Sequence, residues 1–174
     1  MKTINVSQAE GQVLDWMVAK AKGHELMLFD TLWRDNAALK GYPEPDVERH
    51  LQWQPQRGRH VIVELRGLQL DQRNLEVLTP TRCAVDIPGY STDWSQGGPI
   101  IEREGVNLSI DYQDDALSND MVQLGWKGNL WNNSVPGTAG FLQWSYGPTP
   151  LIAAMRCYCC SKLGETVEVP EELT

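Results

Sequence analysis

Val106-Asn107-Leu108-Ser109-Ile110-Asp111-Tyr112 alternates apolar and polar side chains without a break. A period of two puts Val106, Leu108, Ile110 and Tyr112 on one face of a strand, whereas a helix would scatter them. Gly105 marks a turn just before it. One apolar and one wet face are what a half-covered antiparallel sheet requires. Downstream, Val122–Trp126 and Phe141–Tyr146 read as sheet edges around an irregular stretch at 131–137, after an acidic loop at 113–120. Gly147-Pro148-Thr149-Pro150 then opens a helix, with Thr149 suited to the N-cap and Pro150 to the first helical position. Leu151–Leu163 is apolar almost all round and Gly164 follows it, so this helix is expected to be buried on most sides.

At the other end, Thr3–Val6 suits a short strand, and Ser7-Gln8-Ala9-Glu10 has the spacing of a capping box. Leu14, Met17, Val18 and Ala21 recur at helical spacing, predicting a helix over 8–22 that ends at Gly23. The expected fold is therefore α+β: a mostly antiparallel sheet packed against an N-terminal and a C-terminal helix, in a single domain spanning 1–174. Residues 24–89 read as a loop-rich elaboration of that core. Leu26–Phe29 suits a strand or the start of a helix, and breaks fall at 42–45 and 53–58. Val61–Leu65, Leu75–Thr79 and Cys83–Ile87 read as extended pieces.

Tyr90-Ser91-Thr92-Asp93-Trp94-Ser95-Gln96-Gly97-Gly98-Pro99-Ile100-Ile101-Glu102-Arg103 packs polar groups, a Trp, two glycines and a proline just before the strand. It reads as a loop in which Gly97 and Gly98 permit positive φ and close backbone approach. Such a loop either holds a ligand or is a self-bonded turn, and local chemistry leaves both open. Asp93 and Glu102 are an acid/base pair on one reading, a cap and an ion-pair partner on the other. Trp16 lies off the apolar stripe of the first helix, lining a pocket or covering a neighbour. The start of the Pro150 helix is an anion seat or simply a capped end.

At 174 residues the chain suits one domain with a real core, and seven Trp with five Tyr exclude a disordered chain. No apolar run approaches the roughly 20 residues of a membrane span. The first residues lack the apolar region of a secretory leader, so a soluble cytosolic protein without membrane association is expected. A net charge of −8 repels duplex nucleic acid. The basic cluster Arg57, Arg59, His60, Arg66 and Arg73 is diluted by Glu64 and Asp71 and reads as a solvated surface. Cys83, Cys157, Cys159 and Cys160 lack the spacing and partner histidines of a zinc site, which leaves buried thiols; neither metal nor cofactor is expected. Nucleophile elbows, phosphate loops and dinucleotide fingerprints are absent from the sequence.

Three stretches together resemble a known family. Leu14-Asp15-Trp16 resembles an LDW-x-VA-x-A pattern, and Ser91–Arg103 resembles STDW-x-QGGPIIER. Gly147–Tyr158 with Ser161-Lys162-Leu163-Gly164 resembles GPTPLIAAMRCY-x-x-SKLG. The chain is thereby similar to the NinX family of tailed-phage accessory proteins over roughly 1–23, 90–112 and 144–170, with 24–89 departing from the pattern. Cys159 and Cys160 stand where the pattern has small apolar residues, which argues against thiol chemistry. The resemblance implies phage origin and expression in the host cytoplasm, without a mechanism.

The three motifs combine polar groups with flat faces, an inventory that suits a small nucleotide-like ligand. The expected ligand-binding set is Asp15, Trp16, Tyr90, Thr92, Asp93, Trp94, Gln96, Gly97, Gly98, Glu102, Arg103, Thr149 and Arg156. Arg103 and Arg156 would face phosphate and Trp94 would stack on the base. The expected function is non-catalytic sequestration of a nucleotide-type immune signal, by analogy with phage anti-defence proteins, in a homo-oligomer that the tryptophan content suggests to be a dimer. The competing readings are a protein-binding inhibitor or adaptor, and a small nucleotide-modifying hydrolase using Asp93 and Glu102.

Overall fold

The computed structural model describes residues 1–70, 78–114, 121–132 and 141–174. They form two compact units, Met1–Lys22 with Pro88–Thr174, and Gly23–Ile87. The architecture is α+β, with five α-helices and three sheets whose strand pairs are all antiparallel among the described residues.

In the first unit, strand β1 (Lys2–Asn5) pairs with β8 (Thr166–Val169), Lys2 opposite Val169. A single 3-10 turn, Val6–Gln8, follows β1. Asn5 caps it, accepting from the Ser7 N–H at 2.9 Å and the Ser7 hydroxyl at 2.7 Å. Ser7 is thus a donor, and the capping box expected at Ser7–Glu10 does not form. Helix α1 starts later than expected, at Gly11–Ala21, and Glu10 makes no side-chain cap bond. The Ser7 N–H that the box would give to Glu10 is already taken by Asn5, and the Glu10 carboxylate pairs with Arg156 at 3.0 Å. Leu14, Met17 and Val18 are fully buried on α1.

The largest departure from the sequence reading is at 90–103. A turn at Tyr90–Thr92 leads into helix α4 (Trp94–Glu104), not into a loop. Asp93 is its N-cap, accepting from the Ser95 N–H at 2.8 Å, and Gly105 ends it at φ 69°. Neither Gly97 nor Gly98 has positive φ. Gly97 serves close approach instead: a Cβ there would lie 2.4 Å from the Tyr90 carbonyl oxygen and 2.7 Å from Leu151 Cδ2. Two glycines and an interior proline weaken a helix by intrinsic preference. Here the cap, the Gly105 stop and burial of Gly97 and Ile100 override it.

The alternating stretch is strand β5 (Asn107–Asp114), which pairs with β6 (Met121–Asn132), Ile110 opposite Trp126. β6 pairs in turn with β7 (Phe141–Gly147), so β6 is the central strand and not the sheet edge expected. Of the expected loops, 115–120 and 133–137 lie outside the described residues. Helix α5 (Pro150–Leu163) packs on this sheet, capped by Thr149, which accepts from the Ile152 N–H at 3.2 Å. Gly128 and Gly147 let it sit down closely. A Cβ on either would come within 2.8 Å and 2.6 Å of the Ala153 backbone. Met155, Cys157 and Cys159 are fully buried on α5 and Tyr158 nearly so, as the all-round apolar pattern requires. Each large apolar side chain buried in this way contributes roughly 1.5–3 kcal/mol.

The second unit differs from the loop-rich segment expected at 24–89. It holds β2 (Leu26–Leu28), α2 (Phe29–Leu39), α3 (Glu44–Leu51), β3 (His60–Leu70) and β4 (Leu78–Asp86). The strands form a sheet in the order β2-β3-β4, with Leu26 opposite Ile62 and Val61 opposite Asp86. Thr79 and Cys83, expected on separate strands, both belong to β4; residues 75–77 lie outside the described residues. The unit has its own apolar cluster of Phe29, Leu32, Leu51, Val61 and Val63, with Met27, Trp33 and Ala84 packed against it. Within the basic group, Arg57 pairs with Asp30 at 3.8 Å and Glu48 at 3.7 Å, as a solvated surface cation does.

Candidate functional site

The three sequence motifs do come together within the first unit. The Ser91 N–H donates to Asp15 Oδ1 at 2.7 Å, tying the turn to α1. Gly97 brings α4 against Leu151 of α5, and Glu104 of α4 reaches Lys162 of α5 at 3.0 Å. Burial would raise the Glu104 carboxyl, but Lys162 and Arg103 outweigh it and hold the group below the usual carboxylate value. Burial pushes Asp15 the other way, above its ordinary value, against the opposing bond from Ser91.

The junction is packed. Asp15, Trp16, Tyr90 and Gly97 are buried in it, and Lys22 donates to the Tyr90 hydroxyl at 3.1 Å. Arg156 is also buried, with Nε on the Ala9 carbonyl at 3.0 Å and the two terminal nitrogens on Tyr146 O at 2.8 Å and Glu10 at 3.0 Å. The guanidinium therefore clamps the chain near Ala9 to strand β7. Thr92, Asp93, Trp94, Gln96, Glu102, Arg103 and Thr149 are exposed, and Gly98 is half-buried. The hydrogen-bonding groups of Asp93 and Thr149 cap their helices. Arg103 donates to Glu104 at 2.9 Å. Asp93 thus takes the capping role left open by the sequence.

Two of the α5 thiols are held in the protonated form by burial. Burial pushes Cys157 up to about 12 and Cys159 well above the ordinary thiol value. Among the described residues no cluster of His, Cys, Asp and Glu could hold a metal ion, and no helix is long and apolar enough to cross a membrane.

A concave site with ring walls lies in the second unit, where the sequence pointed to none. A cavity of about 500 Å³ is lined by Trp33, Asn36 and Ala37 of α2 with Lys40 at its C-cap, by Tyr42, by Asp46, Val47 and His50 of α3, and by Arg82 of β4. That volume lies within the range of small-molecule sites. Residues 33, 36 and 37 share one face of α2, continued by its C-cap residue 40, and 46, 47 and 50 one face of α3. This helical spacing is the sequence signal that would have found them. Trp33 is braced by Phe29, ring centroids 5.9 Å apart. Arg82 is held by Glu25 and, at 3.8 Å, by Asp35, while its carbonyl accepts from the Asn36 amide at 2.8 Å. Lys40 and Arg82 line the cavity together with one carboxylate, Asp46, which pairs with Arg49 at 3.4 Å. The arrangement can stack a flat ring.

A second cavity, of about 640 Å³, lies in the first unit beside β7, and Arg156 is the member of the expected ligand-binding set on its wall. Its other lining side chains include Trp126, Trp144, Tyr146, Glu10, Asp111 and Glu165.

A comparison with curated proteins finds no match. The family model described as bacteriophage P22, NinX matches residues 5–162. The match runs through 24–89, the segment that departed from the motif pattern, so it spans the second unit and most of the first. With three motifs converging on one packed junction and a family match over most of its length, the chain belongs to the bacteriophage P22 NinX family.

Proposed function

We propose that this phage accessory protein is a non-catalytic binder of a nucleotide-type small molecule, acting in the cytoplasm of the infected host to sequester a defence signal. The cavity of the Gly23–Ile87 unit carries this reading: rings of Trp33, Tyr42 and His50 line the same space as the cations Lys40 and Arg82. A base would stack on the rings and a phosphate would face the cations. Asn36 and Asp46 supply the donor and acceptor needed to read a base edge or a ribose. The exposed part of the expected set, Trp94 with Asp93 and Gln96, contributes no wall of this cavity, so its role under this reading is separate.

The test is incubation with cyclic and ADP-ribose-type nucleotides, followed by chromatography before and after heat denaturation. A sequestering protein raises its melting temperature with the ligand and returns it unchanged. Altered nucleotide would instead identify a hydrolase. A second reading, contact with another protein or a second copy of this chain, is supported by large exposed rings: Trp53 at 83%, Trp131 at 58% and Trp94 at 54% exposure. Light scattering at micromolar concentration and co-purification of a host protein test that reading.

A further inference from the structure

We propose that the ligand of the Gly23–Ile87 cavity carries at most one negative charge: a nucleoside or its cyclic monophosphate, and not a nucleoside mono- or triphosphate. This rests on the nucleotide reading of that cavity and narrows it by charge. Among the described residues, the Lys, Arg, Asp and Glu side chains on the wall are Lys40, Arg82 and Asp46. What the wall offers a phosphate depends on what each of them is paired with. The Arg82 guanidinium is held by two carboxylates that are not on the wall, by Glu25 through Nη2 and by Asp35 through Nη1 at 3.8 Å. Arg49, also off the wall, offsets the Asp46 carboxylate at 3.4 Å. Arg82 with its two partners thus brings one net negative charge and Asp46 with Arg49 none. Lys40 returns the group to neutrality.

A neutral group has little field with which to hold several phosphates, and the chain's net charge of −8 repels each further negative charge. The guanidinium keeps a different use. Its side chain is 24% exposed and fixed by Glu25 and Asp35, while its own carbonyl takes the Asn36 amide at 2.8 Å and fastens β4 to α2. A planar guanidinium held in this way presents a flat face for stacking. Arg82 joins Trp33 and Tyr42 as a surface for the base. The base is common to a nucleoside and all its phosphates, so the phosphates separate these ligands by repulsion alone.

The experiment is calorimetry on the full chain in magnesium-free buffer. For each of the four bases the probes are the nucleoside, its cyclic monophosphate, its monophosphate and its triphosphate. The tighter-binding of the nucleoside and the cyclic form should bind at least about tenfold more tightly than the monophosphate, and the triphosphate should bind more weakly still. Added salt should narrow this gap, because it screens the repulsion. Glu25→Gln and Asp35→Asn each release positive charge at Arg82 and should strengthen monophosphate binding by about threefold or more. Both side chains are about half exposed, so the melting temperature should stay close to that of the wild type. A merely structural role for the two carboxylates predicts no such gain. Monophosphate or triphosphate bound as tightly as the cyclic form and the nucleoside, or monophosphate binding unimproved in both variants, would overturn the charge assignment and leave the cavity a nucleotide site. Absence of binding by every probe would remove both proposals.

Discussion

Asp15 shows how one residue can mimic a site. An acid beside a tryptophan in a motif reads as a ligand contact, yet its carboxylate is spent on the Ser91 N–H at 2.7 Å, inside the protein. Asp15→Ala should cost roughly 1–3 kcal/mol by leaving that N–H unpaired, whereas Asp15→Asn keeps an acceptor and should cost less. The pH dependence follows from the raised folded-state value. Folding then favours the protonated form, so the contribution of Asp15 is full below the unfolded carboxylate value and lost as pH rises through the folded one. Urea midpoints should therefore show the wild type gaining on Asp15→Asn as the pH falls. Trp94 makes the opposite point. At 54% exposure its truncation to Ala should shift the denaturation midpoint by less than about 1 kcal/mol, not by the 3–5 expected of a core aromatic. Local chemistry legible in the sequence, the Thr149 cap and the Gly105 stop, involves neighbours only. Asp15 and Arg156 depend on partners 76 and 147 residues away, which no local pattern reveals.

At the scale of elements, the sequence period matched the element formed for β5 and α5 but not for α4, and on β5 the expected apolar face is half-buried at Leu108 and Ile110 and exposed at Tyr112, beyond a register shift. Strict alternation leaves β5 little choice, and an all-round apolar pattern leaves α5 only burial. In α4 the Gly97-Gly98-Pro99 run opposes the helix, and contact with Tyr90 and Leu151 decides the outcome. The two glycines should separate cleanly on substitution. Gly97→Ala should cost roughly 1–3 kcal/mol, because its Cβ would enter the space of the Tyr90 carbonyl. Gly98→Ala should be neutral or stabilise by up to about 1 kcal/mol, since its Cβ would meet only the Trp94 ring at 3.9 Å and its φ is not positive. Paired thermal or urea unfolding of the two variants checks this. The Ser7–Glu10 box failed because Asn5 takes both Ser7 donors, leaving Glu10 to pair with Arg156.

On the scale of the whole molecule, composition gives no view of the cavity in the second unit. The chain's net charge of −8 argues against binding a polyanion, yet the Gly23–Ile87 unit gathers Lys40 and Arg82 on one cavity wall. That gathering needs α2, α3 and β4 at once, elements hidden from local reading by the breaks at 42–45 and 53–58 and by an interval outside any motif. The most direct measurement is calorimetry with the nucleotide panel on the wild type and on Tyr42→Ala. Tyr42 is 51% exposed, so its loss should leave the denaturation midpoint within about 0.5 kcal/mol. Saturable one-to-one binding is expected in the wild type. It should weaken in Tyr42→Ala by about 5- to 150-fold, corresponding to roughly 1–3 kcal/mol for a base stacked on an aromatic ring. No binding of any nucleotide to the wild type, or equal affinity in a well-folded Tyr42→Ala, would contradict the assignment of this cavity.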